Sequence, residues 1–352
     1  MKKSLVALAA LAVVGAASAQ SSVTLFGVVD ATLAFGNGSA ANKIQLTNSG
    51  YNSSRLGFKG TEDLGGGMSA SFHLEAGVNN DNGAGSGTNT NNQATGAAAA
   101  AAGGQGLAFN RRSTVSLSGG FGEIRLGRDY TPQYWNHTVF DPFGNVGVGT
   151  EQTLPSSIMP GAILVRASNS VAYLTPAMGG FYGWGQYYMG ENLDNLPNKD
   201  DGTGIGLRVG YAAGPLDVAG SYTQAKYAGA DIKSTNLGAS YAFGPAKLSL
   251  QLSREDNSVN IGTGGSIGLN YTMGAGEIRA AYSQYSVDTA VARKTGKFAL
   301  GYVQNLSKRT ALYATVAQVS NDGGAGQTLN GASLTNPNDS STGFDIGIRH
   351  AF

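Results

Sequence analysis

Cysteine and histidine, two residue types that often carry out catalysis, are scarce in this 352-residue chain. It has no cysteine, and its three histidines, His73, His137 and His350, are far apart in sequence. Residues 264–268 fit the G-x-S-x-G pattern of serine hydrolases, but that pattern works only at a turn between a strand and a helix. Ser266 instead begins an alternating apolar and polar segment. These residues therefore predict no catalytic group, no cofactor and no required metal ion.

The charges are few and nearly balanced. Lys and Arg number 23 and Asp and Glu number 22, and charged residues make up 13% of the chain. Nucleic-acid binding needs a basic surface, which a nearly neutral chain does not offer. The composition therefore predicts no nucleic-acid partner.

The elements that must position any site are strands. In residues 68–78, Met68, Phe72 and Leu74 fall on one parity and polar residues such as His73 fall on the other. Strict alternation over eight or more residues predicts strands with one apolar and one polar face. The same alternation occurs at 23–35, 247–255, 266–273 and 344–352.

Short breaks and long breaks follow one another between the alternating segments. The short breaks lie at 63–67, 119–122, 177–180, 214–215, 244–245, 274–276 and 307–309. The long polar breaks lie at 36–50, 80–107, 130–165, 192–203, 227–231, 256–264, 288–294 and 322–341. Strands of about 10 residues, with short turns at one end and long loops at the other, are typical of membrane barrels. The pattern predicts an all-β fold, a 16-stranded antiparallel transmembrane β-barrel, rather than a soluble sandwich.

The N-terminal residues have the layout of a secretory signal peptide. Two lysines precede an apolar stretch at 5–17, and residues 17–19 form a small-x-small cleavage site. We therefore predict a signal peptide at 1–19 and a barrel domain at 20–352.

Several motifs resemble those of the trimeric general porins of Gram-negative outer membranes. Residues 22–27 resemble the first porin strand, 54–65 the second strand with its turn, and 119–128 the strand that leads to the constriction loop. The terminal Phe352 resembles the barrel end that the insertion machinery reads. The resemblance implies a homotrimer in outer-membrane lipid and lipopolysaccharide, with the third long loop folded into the lumen. It also implies passive diffusion of small hydrophilic solutes and ions.

The resemblance further implies arginines on the wall of the constriction, opposite acids on the loop. The alternation turns Arg55 and Arg166 toward the pore. On the fourth strand two alternatives stay open: the alternation turns Arg112 inward, whereas alignment with the family motif turns Arg111 inward. Arginine suits this role because it keeps its charge at every working pH and its planar group tolerates crowding.

The acids opposite these arginines are sparse. The loop at 130–165 carries only Asp141 and Glu151, with Asp129 at its base. Because rings of basic side chains favour anions, we predict a general diffusion porin with anion preference.

Two alternatives compete with a general pore. A substrate-specific outer-membrane channel would need an aromatic slide or a ligand pocket, and an enzyme would need a Ser/His/acid group that this sequence does not assemble. We expect the aromatic residues of the constriction loop to wedge the loop against the wall instead. They are Tyr130, Tyr134, Trp135, Phe140 and Phe143. The Asn-, Gly- and Ala-rich segment 80–107 corresponds to the loop that, in the family, latches onto a neighbouring subunit.

Overall fold

A computed structural model gives the fold of most of the chain. It describes residues 22–88, 92, 106–152, 154–155, 158, 165–227, 229–332 and 336–352. The predicted signal peptide at 1–19 and much of the predicted latch at 80–107 lie outside these residues. One α-helix of nine residues, α1 (Pro132–Phe140), occurs in the described chain. None of the helices described is long and apolar enough to cross a membrane.

The described chain forms eighteen strands, and each pairs antiparallel with its neighbours. In chain order they are β1 (Ser22–Asn37), β2 (Lys43–Asn48), β3 (Arg55–Gly65), β4 (Met68–Asn79), β5 (Ala84–Gly85), β6 (Arg112–Gly119), β7 (Gly122–Tyr130), β8 (Arg166–Leu174), β9 (Phe181–Tyr188), β10 (Gly204–Ala213), β11 (Leu216–Ala225), β12 (Ile232–Phe243), β13 (Ala246–Asp256), β14 (Ile261–Met273), β15 (Gly276–Val287), β16 (Arg293–Asn305), β17 (Thr310–Asp322) and β18 (Ser341–Ala351).

The sheet closes on itself because β1 pairs with β18. Strands β2 and β3 pair with successive parts of β1, so they form one barrel strand that is interrupted at 49–54. Strand β5 has two residues and pairs only with β4, outside the barrel sheet. The closed barrel therefore has sixteen strands, which confirms the predicted fold and strand number.

The barrel is apolar outside and polar inside. On neighbouring positions of β13, Leu252 is 63% exposed whereas Gln251 is 3% exposed. On β10, Val209 is 53% exposed and Arg208 is 8% exposed. An outer face of this kind contacts lipid, and closure pairs the backbone groups that lipid cannot satisfy. Exposed aromatic residues near the short-turn end include Phe121, Phe181, Tyr241, Phe243, Tyr271 and Tyr302, as a membrane-interface girdle requires.

The loop between β7 and β8 lies against the inner wall. Helix α1 begins there, where Pro132 needs no N–H partner and Thr131 Oγ1 accepts a hydrogen bond from the Tyr134 N–H. The Asn136 amide donates to Asn236 Oδ1 at 2.6 Å and to the Ala219 carbonyl at 3.2 Å. These bonds attach the helix to β11 and β12 and leave the loop inside the barrel.

Glycines in the wall allow the loop to approach the strands closely. A Cβ atom added at Gly238 of β12 would lie 2.0 Å from Phe140, and one added at Gly268 of β14 would lie 2.0 Å from Pro142. Farther along, Phe143 packs among small side chains that include Ala299 and Ala317. The expected wedging of Phe140 and Phe143 against the wall is therefore present.

We expect a single methyl group at Gly238 to displace the constriction loop. The Gly238→Ala methyl overlaps Phe140, and overpacking of this kind costs about 1–3 kcal/mol, so the loop should move toward the pore axis. Single-channel conductance should fall while the barrel still forms. The matched control is Gly185→Ala, because nothing lies within 4 Å of a Cβ at that lipid-facing position. Conductance of Gly238→Ala equal to that of Gly185→Ala would contradict this account.

Candidate functional site: the pore constriction

Three arginines lie together at the inner wall, and two of them face the carboxylate of Glu75. Arg111 Nε donates to Glu75 Oε1 at 2.5 Å, and Arg55 Nη1 lies 4.0 Å from the same oxygen. Arg166 Nε donates to the Arg111 carbonyl at 2.8 Å. His73 completes the group, with Nε2 3.4 Å from Glu75 Oε2. Three guanidinium groups against one carboxylate leave a net charge of +2 before any charge on His73.

Two stacked tyrosines support this basic cluster. The Arg166 Cζ atom lies 4.3 Å from the centroid of the Tyr130 ring, and Arg111 Nη2 donates to the Tyr130 hydroxyl at 3.0 Å. The rings of Tyr130 and Tyr134 stack with their centroids 5.3 Å apart. Cation–π contact stabilises a guanidinium without neutralising it. Because Tyr134 belongs to α1, the stack also joins the cluster to the constriction loop.

Arg111 and Arg112 belong to two different clusters on the inner side. Arg111 joins Arg55 at Glu75, as described above. Arg112 Nε lies 3.5 Å from Asp129 Oδ2, and the same oxygen accepts a hydrogen bond from Arg125 Nη1 at 2.7 Å. Arg111 immediately precedes β6, so its direction does not follow the alternation of that strand. The two alternatives left open by the sequence therefore do not exclude each other.

The predicted loop acids are buried between the loop and the wall. Asp141 accepts hydrogen bonds from the backbone N–H groups of Phe143 at 2.9 Å and Asn145 at 3.0 Å. Glu151 Oε1 lies 3.3 Å from His137 Nδ1. Within the described part of the chain, neither acid makes an ion pair with an arginine of the Glu75 cluster. The structure places the acid that touches these arginines on β4.

Two charged residues of the inner wall were not singled out as constriction residues by the sequence. Glu75 had the inward parity of β4, but only the strand register shows that it meets Arg55 and Arg111. Lys297 of β16 is 2% exposed and donates from Nζ to the Thr150 carbonyl at 2.5 Å. The alternation of β16 places Lys297 on the inner face, and this alternation is the sequence feature from which its position could have been predicted.

The electrostatics of the loop raise the pKa of Asp141. Burial and, next, the negative charge of Glu151 raise the pKa of Asp141 to about 6, although backbone N–H groups oppose this. Burial disfavours the protonated imidazole of His137, but the hydrogen bond and charge of Glu151 outweigh it and raise the His137 pKa. The charged groups that face this cluster from the wall include Lys297 of β16 and Glu255 of β13.

We expect Asp141→Asn to remove part of the pH dependence of stability. The folded-state pKa is about 6 against an ordinary value of 3.8, so the folded chain binds more protons between these values. The contribution of Asp141 to the free energy of unfolding is most favourable below about pH 4 and is lost as pH rises through about 6. About two pKa units correspond to roughly 3 kcal/mol. The midpoint of thermal unfolding in detergent, recorded from pH 4 to 7, measures this change in stability.

The control for this comparison is Asp63→Asn at the exposed end of β3. This control variant removes one carboxylate elsewhere and leaves Asp141 and its neighbours Glu151, His137 and Lys297 unchanged. The midpoint difference between pH 4 and pH 7 should shrink only in Asp141→Asn. An identical pH profile in the two variants would show that Asp141 does not contribute.

A closed sixteen-stranded barrel with an apolar exterior and a charged interior narrowed by a loop is a transmembrane pore. The chain belongs to the Gram-negative porin family, whose sequence model matches residues 5–324. It is 41% identical to outer membrane porin protein 32 of Delftia acidovorans and 30% identical to an outer membrane porin protein of Bordetella pertussis. Each of these alignments covers 100% of both chains.

Solved structures agree with this assignment. The structure described as an anion-selective porin from Comamonas acidovorans matches with a TM-score of 0.81 and 36% identity, over 95% of this chain and 100% of that chain. The outer membrane protein OmpT of Vibrio cholerae matches with a TM-score of 0.66 at 15% identity, over 94% of this chain and 99% of that chain, and shows the shared fold alone. The predicted family and outer-membrane location are confirmed.

Proposed function

We propose that this porin passes small hydrophilic solutes and ions by passive diffusion, with a preference for anions. The observation that carries the proposal is the cluster of Arg55, Arg111 and Arg166, in which Glu75 is the one acid and faces Arg55 and Arg111. The relative from Comamonas acidovorans is described as anion-selective, and its 36% identity to this chain supports the same preference here.

The field of this cluster acts where the lumen is narrowest. Low-dielectric walls focus the field of fixed charges, so an ion responds to the nearby cluster more than to the net charge of the chain. The arginines stay charged at all working pH values. An anion that enters exchanges part of its hydration shell for guanidinium N–H groups, whereas a cation meets a net repulsion. Asp141 and Glu151, as members of the constriction loop, act by fixing the loop rather than by attracting cations.

General diffusion accounts for the aromatic residues better than a substrate-specific channel does. Tyr130 and Tyr134 stack together beneath the arginines. Phe140 and Phe143 are buried against the wall. These four rings are held by neighbouring side chains of the protein. A channel rather than an enzyme is also supported by Ser266, which lies inside β14 and not at a strand-to-helix turn.

We infer that the working assembly is a homotrimer in outer-membrane lipid and lipopolysaccharide, formed after removal of residues 1–19. The Vibrio cholerae relative is described in a trimer form, and the shared fold supports the same assembly. Mass determination in mild detergent tests it. Three chains per particle is the expected result, and a particle of one chain would contradict it.

Phe352 is proposed as the assembly signal for the barrel-insertion machinery. Its backbone exchanges two hydrogen bonds of 3.1 Å with Gly27 of β1, and its ring covers Gly27 at the seam of the barrel. Removal of Phe352 should therefore lower the amount of folded barrel in the membrane more than it changes the conductance of the channels that do form. Normal membrane levels of the shortened chain would contradict this role.

The proposed selectivity is tested by the double variant Arg55→Gln/Arg166→Gln. Loss of two positive charges changes the Glu75 cluster from a net charge of +2 to zero. The reversal potential in a KCl gradient should then move toward cation preference, and the constriction should widen. Lumen substitutions tune selectivity without threatening the barrel. The effect should weaken at high salt because charges are screened over about 10 Å at 0.1 M.

Lys308→Gln on an exposed short turn is the matched control, because it removes a positive charge away from the constriction. Its reversal potential should equal that of the wild type. A wild-type channel that prefers cations would overturn the proposal.

A further inference from the structure

Two more arginines lie on one aromatic ring away from the Glu75 cluster. The Cζ atoms of Arg279 and Arg349 lie 4.6 Å and 5.3 Å from the centroid of the Tyr51 ring. Arg279 Nη2 also donates to the Tyr51 hydroxyl at 3.3 Å. The ring itself packs against Tyr313, with centroids 5.6 Å apart. We call Tyr51, Arg279 and Arg349 the Tyr51 site.

The positive charge of Arg349 is not compensated by an acid. Arg279 is paired with Glu277, with Nε and Oε1 2.5 Å apart. Arg349 makes no ion pair in the described chain, and its Nε is buried without a hydrogen-bond acceptor. Within the described residues, its side chain donates one hydrogen bond, from Nη1 to the Arg309 carbonyl at 3.1 Å. A guanidinium group has five N–H donors, and the hydrogen bonds described for Arg349 use one of them, so its Nη groups can still donate to an anion.

The acid nearest to Arg349 in the strand register is already satisfied. Asp30 stands opposite Arg349 where β1 pairs with β18. Its carboxylate accepts hydrogen bonds from the Tyr313 hydroxyl at 2.5 Å, from the Tyr51 N–H at 2.9 Å and from the Asn52 N–H at 2.6 Å. Asp30 therefore holds the segment that carries Tyr51 and does not neutralise Arg349.

The Tyr51 site lies toward the short-turn end of the barrel and next to the constriction. Arg349 contacts the turn between β16 and β17 and is three residues from the last residue of the chain. Short turns face the periplasm in outer-membrane barrels. On the other side, Asn52 Oδ1 accepts a hydrogen bond from Arg55 Nη2 at 3.0 Å. The interruption at 49–54 thus connects the Glu75 cluster with the Tyr51 site.

We propose that the Tyr51 site binds a small oxyanion, a carboxylate or a phosphate, on the periplasmic side of the constriction. A guanidinium group matches the paired oxygens of such anions and can bind them through two parallel hydrogen bonds. The Tyr51 ring holds two guanidinium groups close together without neutralising them. An anion that has passed Arg55 would find a second binding position at the Tyr51 site. This proposal rests on the proposed function only because both require that anions enter the lumen.

Inorganic phosphate and acetate, each added at the short-turn side of the channel in planar bilayers, test the two anion chemistries separately. The concentration that half-reduces the chloride current gives an apparent dissociation constant. Loss of a charge-assisted hydrogen bond is worth about 1.5–3 kcal/mol, and 1.4 kcal/mol is tenfold in affinity. Arg349→Gln should therefore raise this constant about tenfold or more for at least one of the two anions. The anion that responds identifies the ligand class.

Three further variants keep the test independent of folding defects. Tyr51→Ala should weaken binding as Arg349→Gln does, whereas Tyr51→Phe keeps the ring and should weaken it less. Arg309→Gln removes a positive charge from an exposed position at the same end, and it should bind like the wild type. Wild-type affinity in both Arg349→Gln and Tyr51→Ala would overturn the site.

The same recordings separate this proposal from the selectivity proposal. Arg349→Gln should remain anion-selective in a KCl gradient, because the Glu75 cluster is intact. If the wild type prefers cations while Arg349→Gln still loses phosphate or acetate affinity, the selectivity proposal fails and the Tyr51 site stands. If the wild type prefers anions and Arg349→Gln binds normally, the site fails alone.

Discussion

The packing of the constriction loop on the inner wall is the interaction on which the pore depends. Where the loop and the strands come closest, the strands have no room for side chains of their own. Gly238 and Gly268 meet that requirement beneath Phe140 and Pro142. The buried acids Asp141 and Glu151 hold the loop together internally, the first by accepting from the backbone N–H groups of Phe143 and Asn145 and the second through His137. A barrel of sixteen strands without this packing would be a wide and poorly selective channel.

Fixing the loop also fixes the electrostatics of the lumen. Tyr134 is carried by the loop and stacks on Tyr130, which in turn contacts Arg166 and Arg111. Like charges held this close repel one another, so the cluster persists only because the tyrosine rings, Glu75 and backbone carbonyls support it. The remaining positive charge is available to passing anions. Packing, charge arrangement and ion preference are therefore parts of one design, and a change in the loop should alter all three.

Much of the fold could be predicted because strand alternation is a local property of the sequence. The strand number, the inward direction of Arg55 and the presence of an inner loop all followed from it or from the family resemblance. Arg111 could not be oriented because it precedes β6, where alternation does not apply. The contacts of Asp141 and Glu151 depend on the path of an irregular loop, which periodicity does not determine. The meeting of Glu75 with Arg55 and Arg111 depends on the register of strands β3, β4 and β6.

The central claim is that the Glu75 cluster carries the charge that selects ions, and Glu75→Gln tests it most directly. This substitution keeps a side-chain oxygen that can accept from Arg111 and removes the negative charge that faces Arg55 and Arg111, which raises the net charge of the cluster from +2 to +3. The measurement is the reversal potential in a KCl gradient, compared with that of the wild type at low ionic strength. The account predicts a stronger anion preference in Glu75→Gln, and an unchanged potential or a shift toward cations would contradict it.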